Sequence, residues 1–392
     1  MITATLASSL FHPKVFGLLW YLLAILCIVL TIKNWKSTSL TPIKVWLIAF
    51  TPLFVVSVAS VLIHDLKFSR VEVLEIYLGG LVFTAGFQHL GLTYEKVILG
   101  AKIAALLGLA VAIYEVFYLN SGRAGWSVNP VNFGFAAGII GIILGASSIK
   151  SNIVKSQLTL RVSIAAAAST LILAGSRGPF VASLLVLLGA YLFATTRTAK
   201  PEPVPRRWKF FVLPIVLYIA LGSTLLLPRT YFELVSDNPT SAKIRIDMAE
   251  EGVKQILAAP LKGIGSDQAG NFLDNLEIPE LSDYNNLHST LLNITLELGV
   301  LGGISFVWAM FYLIAYFLKS LKATPKFYAE SGLYLTAFVF IASFFADYLS
   351  VSFARKIFTI YITLFLVLIY QQTNFTNLSS LKNFKPSPKP HQ

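Results

Sequence analysis

The sequence predicts an all-α integral membrane protein with about 11–12 transmembrane helices and one large, partly helical outer loop. Of its 392 residues, 56% are hydrophobic and only 13% are charged, whereas a soluble globular chain carries roughly 25% charged residues. Charge is missing from a series of stretches of about 17–25 residues, the length that crosses a hydrocarbon core about 30 Å thick. These observations exclude a soluble protein.

Eleven candidate spans follow from the apolar runs. They are residues 15–32, 43–63, 71–90, 97–119, 131–149, 158–176, 178–196, 208–227, 292–318, 331–350 and 355–371. The first span lacks the small-residue cleavage site of a signal peptide. The third span is the weakest, because Glu72 and Glu75 fall in its first turn.

The positive charges predict the orientation of the spans. Lys and Arg are concentrated in alternate connections, which places those connections and the C-terminus in the cytoplasm. With eleven spans the N-terminus lies outside, and a twelfth span within residues 1–12 would reverse that end only. The net charge of +12 is then mainly a topology signal, so we expect no nucleic-acid partner.

One connection differs from the others. Residues 228–291 form a long outer loop in which acidic residues outnumber Lys and Arg, and loops of this length usually carry function. A helix is predicted over residues 241–258, because apolar residues recur there at helical spacing: Ile246, Ala249, Val253, Ile256 and Leu257. Pro260 ends this helix, and Gly263 and Gly265 mark a turn.

The loop divides the chain into four parts. Residues 1–227 are N-terminal transmembrane helices, residues 228–291 are the loop, and residues 292–372 are C-terminal transmembrane helices. Residues 373–392 are a cytoplasmic tail, and their prolines predict disorder.

Motifs for common chemistry are missing from the sequence. It has no phosphate loop, no Cys/His metal cluster, no nucleophile elbow and no Asp-x-Asp pair. The single cysteine, Cys27, lies in an apolar run and cannot form an intrachain disulfide. We therefore expect no metal and no cofactor.

Three outward arginines are candidate anion ligands. Arg177 lies between two apolar runs, where an arginine is costly unless it pairs or lines a wet cavity, and a guanidinium binds phosphate oxygens bidentately. The alternative is a residue that snorkels to the interface. Arg245 in the loop helix is either a second ligand or a solvated charge. Arg123 is a third candidate, or a partner of Glu115.

His288 is the candidate general base. It is the only histidine in the loop, and a helix is predicted to begin beside it with Asn285 or Asn286 as its cap. The positive end of a helix dipole disfavours protonation of histidine, and a neutral imidazole can accept a proton. The alternative is a surface histidine without a task.

These residues lie in segments that resemble the O-antigen ligase family, which shares its fold with O-antigen polymerases and pilin-glycosylating ligases. The resemblance covers residues 100–370 and rests on an ordered set of elements. They are Arg123 with Asn129-Pro130, Ser176-Arg177-Gly178, Arg245 followed by Pro260-x-x-Gly263-x-Gly265, His288 followed by Glu297-x-Gly299-x-x-Gly302, and Asp347 with Arg355. The family usually has Asn directly after this histidine, where this chain has Ser289.

The resemblance implies a glycosyltransferase of the bacterial inner membrane. It would transfer polysaccharide from undecaprenyl diphosphate to lipid A–core oligosaccharide at the periplasmic face, during lipopolysaccharide biosynthesis. Arg177, Arg245 and Arg123 would bind the diphosphate and His288 would deprotonate the acceptor, in an inverting reaction without a metal. Membrane lipids are the remaining expected partners.

Three other functions stay open. An O-antigen polymerase would use the same donor and a second lipid-linked chain as acceptor, and only the Asp347 and Arg355 pair favours a ligase. A secondary transporter would more often show broken helices in matched halves. A structural scaffold would not explain Arg177.

Overall fold

The fold is described from a computed structural model of the chain. The structure describes residues 1–71, 73–125, 129–148, 157–196, 241–276, 278, 281, 284–322, 326–348 and 351–382. The predicted span 208–227 and the first part of the predicted loop lie outside the described residues.

The described residues are predominantly helical and contain no strand. In chain order the α-helices are α1 (Ile2–Ala7), α2 (Pro13–Lys33), α3 (Leu40–Ile63), α4 (Val73–Gly86), α5 (Tyr94–Ile113), α6 (Pro130–Ser148), α7 (Gln157–Leu173), α8 (Arg177–Thr196), α9 (Ser241–Ala258), α10 (Ala269–Asp274), α11 (Thr290–Ser320), α12 (Lys326–Ala342) and α13 (Ser352–Lys382). A π-helical turn, Tyr114–Tyr118, extends α5.

The helices confirm the predicted class, an all-α integral membrane protein. Among the described residues, six helices are long and apolar enough to cross a membrane, namely α2, α3, α5 with its π-helical turn, α6, α11 and α13. Shorter apolar helices lie in α7, α8 and α12. The total of 11–12 spans remains a prediction, since 208–227 is not described.

Two helices form the centre of the bundle. The side chains of α13 from Ile357 to Val367 are completely enclosed, and α6 is buried along most of its length. By contrast, α2 exposes a row of large apolar side chains, which include Leu18, Ile25 and Ile32. Exposed apolar rows of this kind face lipid in a membrane protein.

The connections meet at two opposite ends of the bundle, as the predicted topology requires. At one end the Thr38 hydroxyl lies 2.8 Å from His89 Nε2, near Lys96; we call this the Lys96 end. At the other, Arg70 Nη1 donates to the carbonyl oxygen of Asp267 at 2.9 Å. This second end also holds the start of α8, and we call it the Arg177 end.

The first ten residues run along α5 from the Lys96 end. The Thr3 hydroxyl donates to the carbonyl oxygen of Lys96 at 3.5 Å. Leu6 and Leu10, which are 0% and 2% exposed, lie against Gly100 and Gly108. The N-terminus is therefore at the same end as Lys96, which favours the alternative in which residues 1–12 reverse the orientation of that terminus.

The predicted helix 241–258 is confirmed as α9, and only part of its apolar residues faces protein. Ile246 and Leu257 are 65% and 74% exposed. The helix instead buries Met248 and Gly252 against Leu287, in a small separate core of the loop. In a membrane protein an apolar stripe need not face the protein interior. The apolar periodicity therefore predicts the helix but not which of its sides is buried.

A main-chain clasp, formed by residues 260–265 and 297–300, joins the loop to α11. Gly265 N donates to the carbonyl oxygen of Glu297 at 3.0 Å, and Val300 N donates to that of Pro260 at 2.8 Å. Gly299 has a left-handed φ of 73° and interrupts α11, which frees these groups from the helical hydrogen-bond ladder. The segment with Gly263 and Gly265 and the segment with Gly299 thus form this one contact.

Two helix ends differ from the sequence predictions. The span predicted at 331–350 is α12, which ends at Ala342, and residues 343–348 form a turn. α13 continues to Lys382, through residues that the sequence assigned to a disordered tail. Neither Gly nor Pro occurs within α13 to stop it. Residues 383–392 lie outside the described residues.

Gly263→Ala should destabilise the protein by at least about 2 kcal/mol, since a left-handed φ and a forced backbone contact are both costly. Gly263 has a φ of 63°, and a Cβ there would lie 2.4 Å from the carbonyl oxygen of Glu297. Gly189→Ala is the matched control, because nothing lies within 4 Å of its Cβ position. Thermal unfolding in detergent measures both, and equal melting temperatures would contradict the clasp.

Candidate active site

Arg177 is the first residue of α8 and follows a tight turn. Gly175, with a left-handed φ of 61°, ends α7, and its N–H donates to the carbonyl oxygen of Ile172 at 2.8 Å. Ser176 is 2% exposed and packs against Gly134 of α6. The turn fixes the position of the half-buried Arg177 at the positive end of the α8 dipole.

Arg123 stabilises this turn through hydrogen bonds to its main chain. Its Nε donates to the carbonyl oxygen of Ala174 at 3.1 Å, and its Nη2 donates to that of Gly175 at 3.0 Å. A cation at these carbonyls also complements the negative end of the α7 dipole. Two of the donor groups predicted to bind a diphosphate are therefore engaged with the backbone next to Arg177.

The predicted cap of the helix after His288 is wrong. Ser289, not Asn285 or Asn286, caps α11, and its hydroxyl accepts from Leu292 N at 3.4 Å. The Asn286 side chain serves another purpose, because its Oδ1 accepts the N–H of His288 at 3.0 Å. His288 consequently lies just before the helix and not in its first turn.

His288 is held in an unusual conformation. Its φ of 54° is left-handed, which is uncommon outside glycine and is found at functional sites. The imidazole is half-buried and packs edge-on against Tyr284, with ring centroids 5.2 Å apart. Burial, and to a smaller extent the nearby charge of Arg245, lowers the pKa of His288 to about 4. The imidazole is therefore neutral at pH 7, as predicted, but burial and Arg245 are the causes.

The turn 343–348 connects the start of α11 with the start of α8. Thr290 N donates to the carbonyl oxygen of Ala346 at 3.2 Å, and the Thr290 hydroxyl accepts from Tyr348 N at 2.9 Å. On the other side of the turn, a Cβ on Gly178 would lie 3.3 Å from the Tyr348 hydroxyl oxygen. His288 and Arg177 thus flank the same turn, although 111 positions separate them in the chain.

Arg245 also lies close to His288 and to the turn 343–348. Burial raises the pKa of the Tyr348 hydroxyl, and the charge of Arg245 opposes that rise. Because Arg245 also acts on His288, its guanidinium stands near both side chains. The helix α9 supplies it by packing on α11 through Met248 and Leu296.

The structure therefore brings Arg177, Arg245 and His288 to one turn, with Arg123 behind Arg177. Sequence reasoning missed Tyr284 and Tyr348, the two aromatic residues of this cluster. No sequence pattern distinguishes a functional tyrosine in an apolar segment from a packing residue. Only the position of Tyr348 beside Gly178 in the structure marks it as a candidate. Arginine side chains at this turn can bind an anion, and the neutral imidazole of His288 beside them can accept a proton.

The carboxylates at the Arg177 end bind cations, hydroxyls or main-chain donors. Glu75 accepts from Arg355 Nε at 3.1 Å and lies 3.2 Å from Lys356 Nζ, while Asp347 accepts from the Thr290 hydroxyl at 3.2 Å. Glu115 accepts from Gly125 N. Within the described ranges, no three His, Cys, Asp or Glu side chains are grouped as a metal site would require.

Arg245→Ala should raise the pKa of His288. In the wild type, reactivity of His288 with diethyl pyrocarbonate, which attacks neutral imidazole, should persist well below pH 6.5 and fall as the pH drops through about 4. Removing Arg245 removes the smaller cause, so the midpoint should move up but stay below 6.5. Mass spectrometry of the peptide that contains His288 gives the midpoint. Lys243→Ala, a charge change in the same helix, should leave it unchanged, and an unmoved midpoint in Arg245→Ala would contradict the proximity.

Comparison with known proteins covers the segment that holds this cluster. Residues 162–307 match a family model described as O-antigen ligase. The match includes Arg177, Arg245, His288 and both segments of the clasp, whereas Arg123 and the turn 343–348 lie outside it. No curated protein matches the chain significantly. The matched segment covers 146 of the 392 residues, and over that segment the chain is similar to the O-antigen ligase family.

Proposed function

We propose that the protein is an O-antigen ligase of the bacterial inner membrane. It transfers polysaccharide from undecaprenyl diphosphate to lipid A–core oligosaccharide in lipopolysaccharide biosynthesis. The Arg177 end faces the periplasm in this proposal, where no nucleotide sugar is available and a lipid diphosphate is the activated donor.

One observation carries the proposal. Two arginines and a neutral histidine, from three separate elements, converge on the turn 343–348, and all three lie in the family segment. Transfer from a diphosphate needs charge stabilisation on the leaving group and a base for the acceptor hydroxyl. The cluster offers both.

Arg177 and Arg245 bind the diphosphate in this mechanism. As the bond between the anomeric carbon and the phosphate oxygen breaks, the guanidinium groups stabilise the charge on the departing undecaprenyl diphosphate. They stabilise the charge that a metal ion stabilises in other diphosphate-dependent transferases. Arg123 assists by fixing the turn before Arg177 through the Ala174 and Gly175 carbonyls.

His288 accepts the proton of the acceptor hydroxyl. The hydroxyl oxygen attacks the anomeric carbon from the side opposite the diphosphate, so the configuration inverts in one step. The positive charge of Arg245 lowers the pKa of His288. A bound diphosphate would neutralise part of that charge, so the pKa of His288 would rise. Donor binding thereby moves the base toward the working pH, where a general base is most effective.

His288→Asn should abolish attachment of polymer to lipid A–core. Asparagine tolerates the left-handed backbone of this position but is no base, and loss of a general base costs about 10²–10⁴-fold in rate. The host lacks its own ligase and makes lipid-linked O-antigen, and lipopolysaccharide gels show the attached ladder. His89→Ala at the Lys96 end is the control and should retain the ladder.

Each outcome of this assay has a distinct meaning. A normal ladder from an equally abundant His288→Asn variant would falsify the role of the base but not the ligase. A wild type that attaches nothing would contradict the ligase. The polymerase alternative would then be tested by chain lengthening in a polymerase-deficient host.

Arg177→Lys should lower transfer about tenfold or more, because an ammonium group cannot reproduce the bidentate contact of a guanidinium with phosphate. The rate is measured with purified enzyme and lipid-linked donor. Arg161→Lys, the same change on the exposed side of α7, should leave the rate unchanged. Equal rates for the two variants would sink the idea that Arg177 binds the diphosphate.

A further inference from the structure

The hydroxyl of Tyr348 is a buried polar group without a partner. Tyr348 is 1% exposed, and its hydroxyl oxygen has no hydrogen-bond partner among the described residues. The ring itself is well placed, since it stacks on Phe135 with centroids 4.0 Å apart and an interplanar angle of 16°. A buried hydroxyl that lacks a partner costs free energy, so packing alone explains the ring but not the oxygen.

The hydroxyl points at the N-terminus of α8. The position that a Cβ on Gly178 would take lies 3.3 Å from the hydroxyl oxygen and 2.9 Å from Phe345 Cβ. Glycine at the second position of α8 therefore lets the turn 343–348 pack closely on this helix and brings the hydroxyl beside its first turn. In the first turn of α8, Arg177 and Gly178 carry main-chain N–H groups that lack helical partners, whereas Pro179 has no N–H.

The charge around the hydroxyl favours an anion. α8 directs the positive end of its dipole there, and Arg177 is its first residue. Arg245 lies near enough for its charge to act on Tyr348. A helix N-terminus combined with arginine and a hydroxyl donor is a setting in which proteins bind phosphate oxygens.

We propose that the Tyr348 hydroxyl and the N-terminus of α8 bind a phosphate oxygen of the lipid-linked diphosphate. The inference rests on the proposed function for the identity of the donor, and it adds a binding residue on the turn 343–348. The free enzyme carries an unpartnered hydroxyl, and the donor supplies its hydrogen-bond acceptor.

The inference predicts that stability and binding change in opposite directions. Tyr348→Phe removes one oxygen and keeps the ring on Phe135. Because the lost group has no partner in the free protein, the melting temperature should rise or stay equal. Affinity for a diphosphate should fall about ten- to hundredfold, the range for a hydrogen bond to a charged group.

The test uses the full chain in detergent, with farnesyl diphosphate as the probe. Isothermal titration gives the affinity, and thermal unfolding without ligand gives the stability. Tyr361→Phe is the matched control, since Tyr361 is also fully buried but lies within α13. It should bind farnesyl diphosphate as the wild type does.

Three results would overturn the inference. The first is unchanged affinity in Tyr348→Phe. The second is a lower melting temperature in that variant, which would mean that the hydroxyl has a structural partner. The third is a wild type that does not bind farnesyl diphosphate. The ladder assay in cells reads polymer transfer independently, so the ligase proposal can stand or fall separately.

Discussion

The main-chain clasp between residues 260–265 and 297–300 is the contact on which the geometry of the site depends. It fastens the end of the loop that carries Arg245 to α11, directly below the segment that presents His288. The contact requires glycine at 263 and 299, because both have left-handed backbones and both lie against main-chain atoms of the other segment. Without it, the loop would be joined to the bundle through the small core around Met248 and through the contacts of Arg70 with Ser266 and Asp267.

The turn 343–348 is the second element that organises the site. It is hydrogen-bonded to the first residue of α11 and packs on the second residue of α8. The groups assigned to base and anion binding therefore come from helices that are distant in sequence and share one support. A change in this turn is therefore expected to affect both His288 and Arg177.

Much of the fold follows from the sequence, because membrane spans are long uninterrupted apolar runs. Ten of the eleven predicted spans coincide with described helices, and α9 begins and ends where periodicity and Pro260 place it. The side of α9 that is buried did not follow, since lipid, water and protein all compete for an apolar stripe in such a loop. The cap of α11 was misassigned because Asn286 uses its side chain to hold His288.

The candidate residues Arg177, Arg245 and His288 were found from charge at membrane depth and from a resemblance, and the structure brings them together. Tyr348 was not found, because its significance depends on Gly178, a residue 170 positions earlier in the chain. The role of Arg123 at the carbonyls of Ala174 and Gly175 also depends on tertiary structure. Local sequence patterns do not contain such long-range pairings.

The exposed flank of α9 limits how the protein can be divided. One side of this helix packs on α11 through Met248, and the opposite side exposes Ile246 and Leu257. If the loop were excised as a soluble fragment, both sides would meet water at once, and contiguous apolar surface of this kind drives aggregation. The candidate site is thus inseparable from the helices that support it, and biochemical reconstitution has to begin with the intact chain in lipid or detergent.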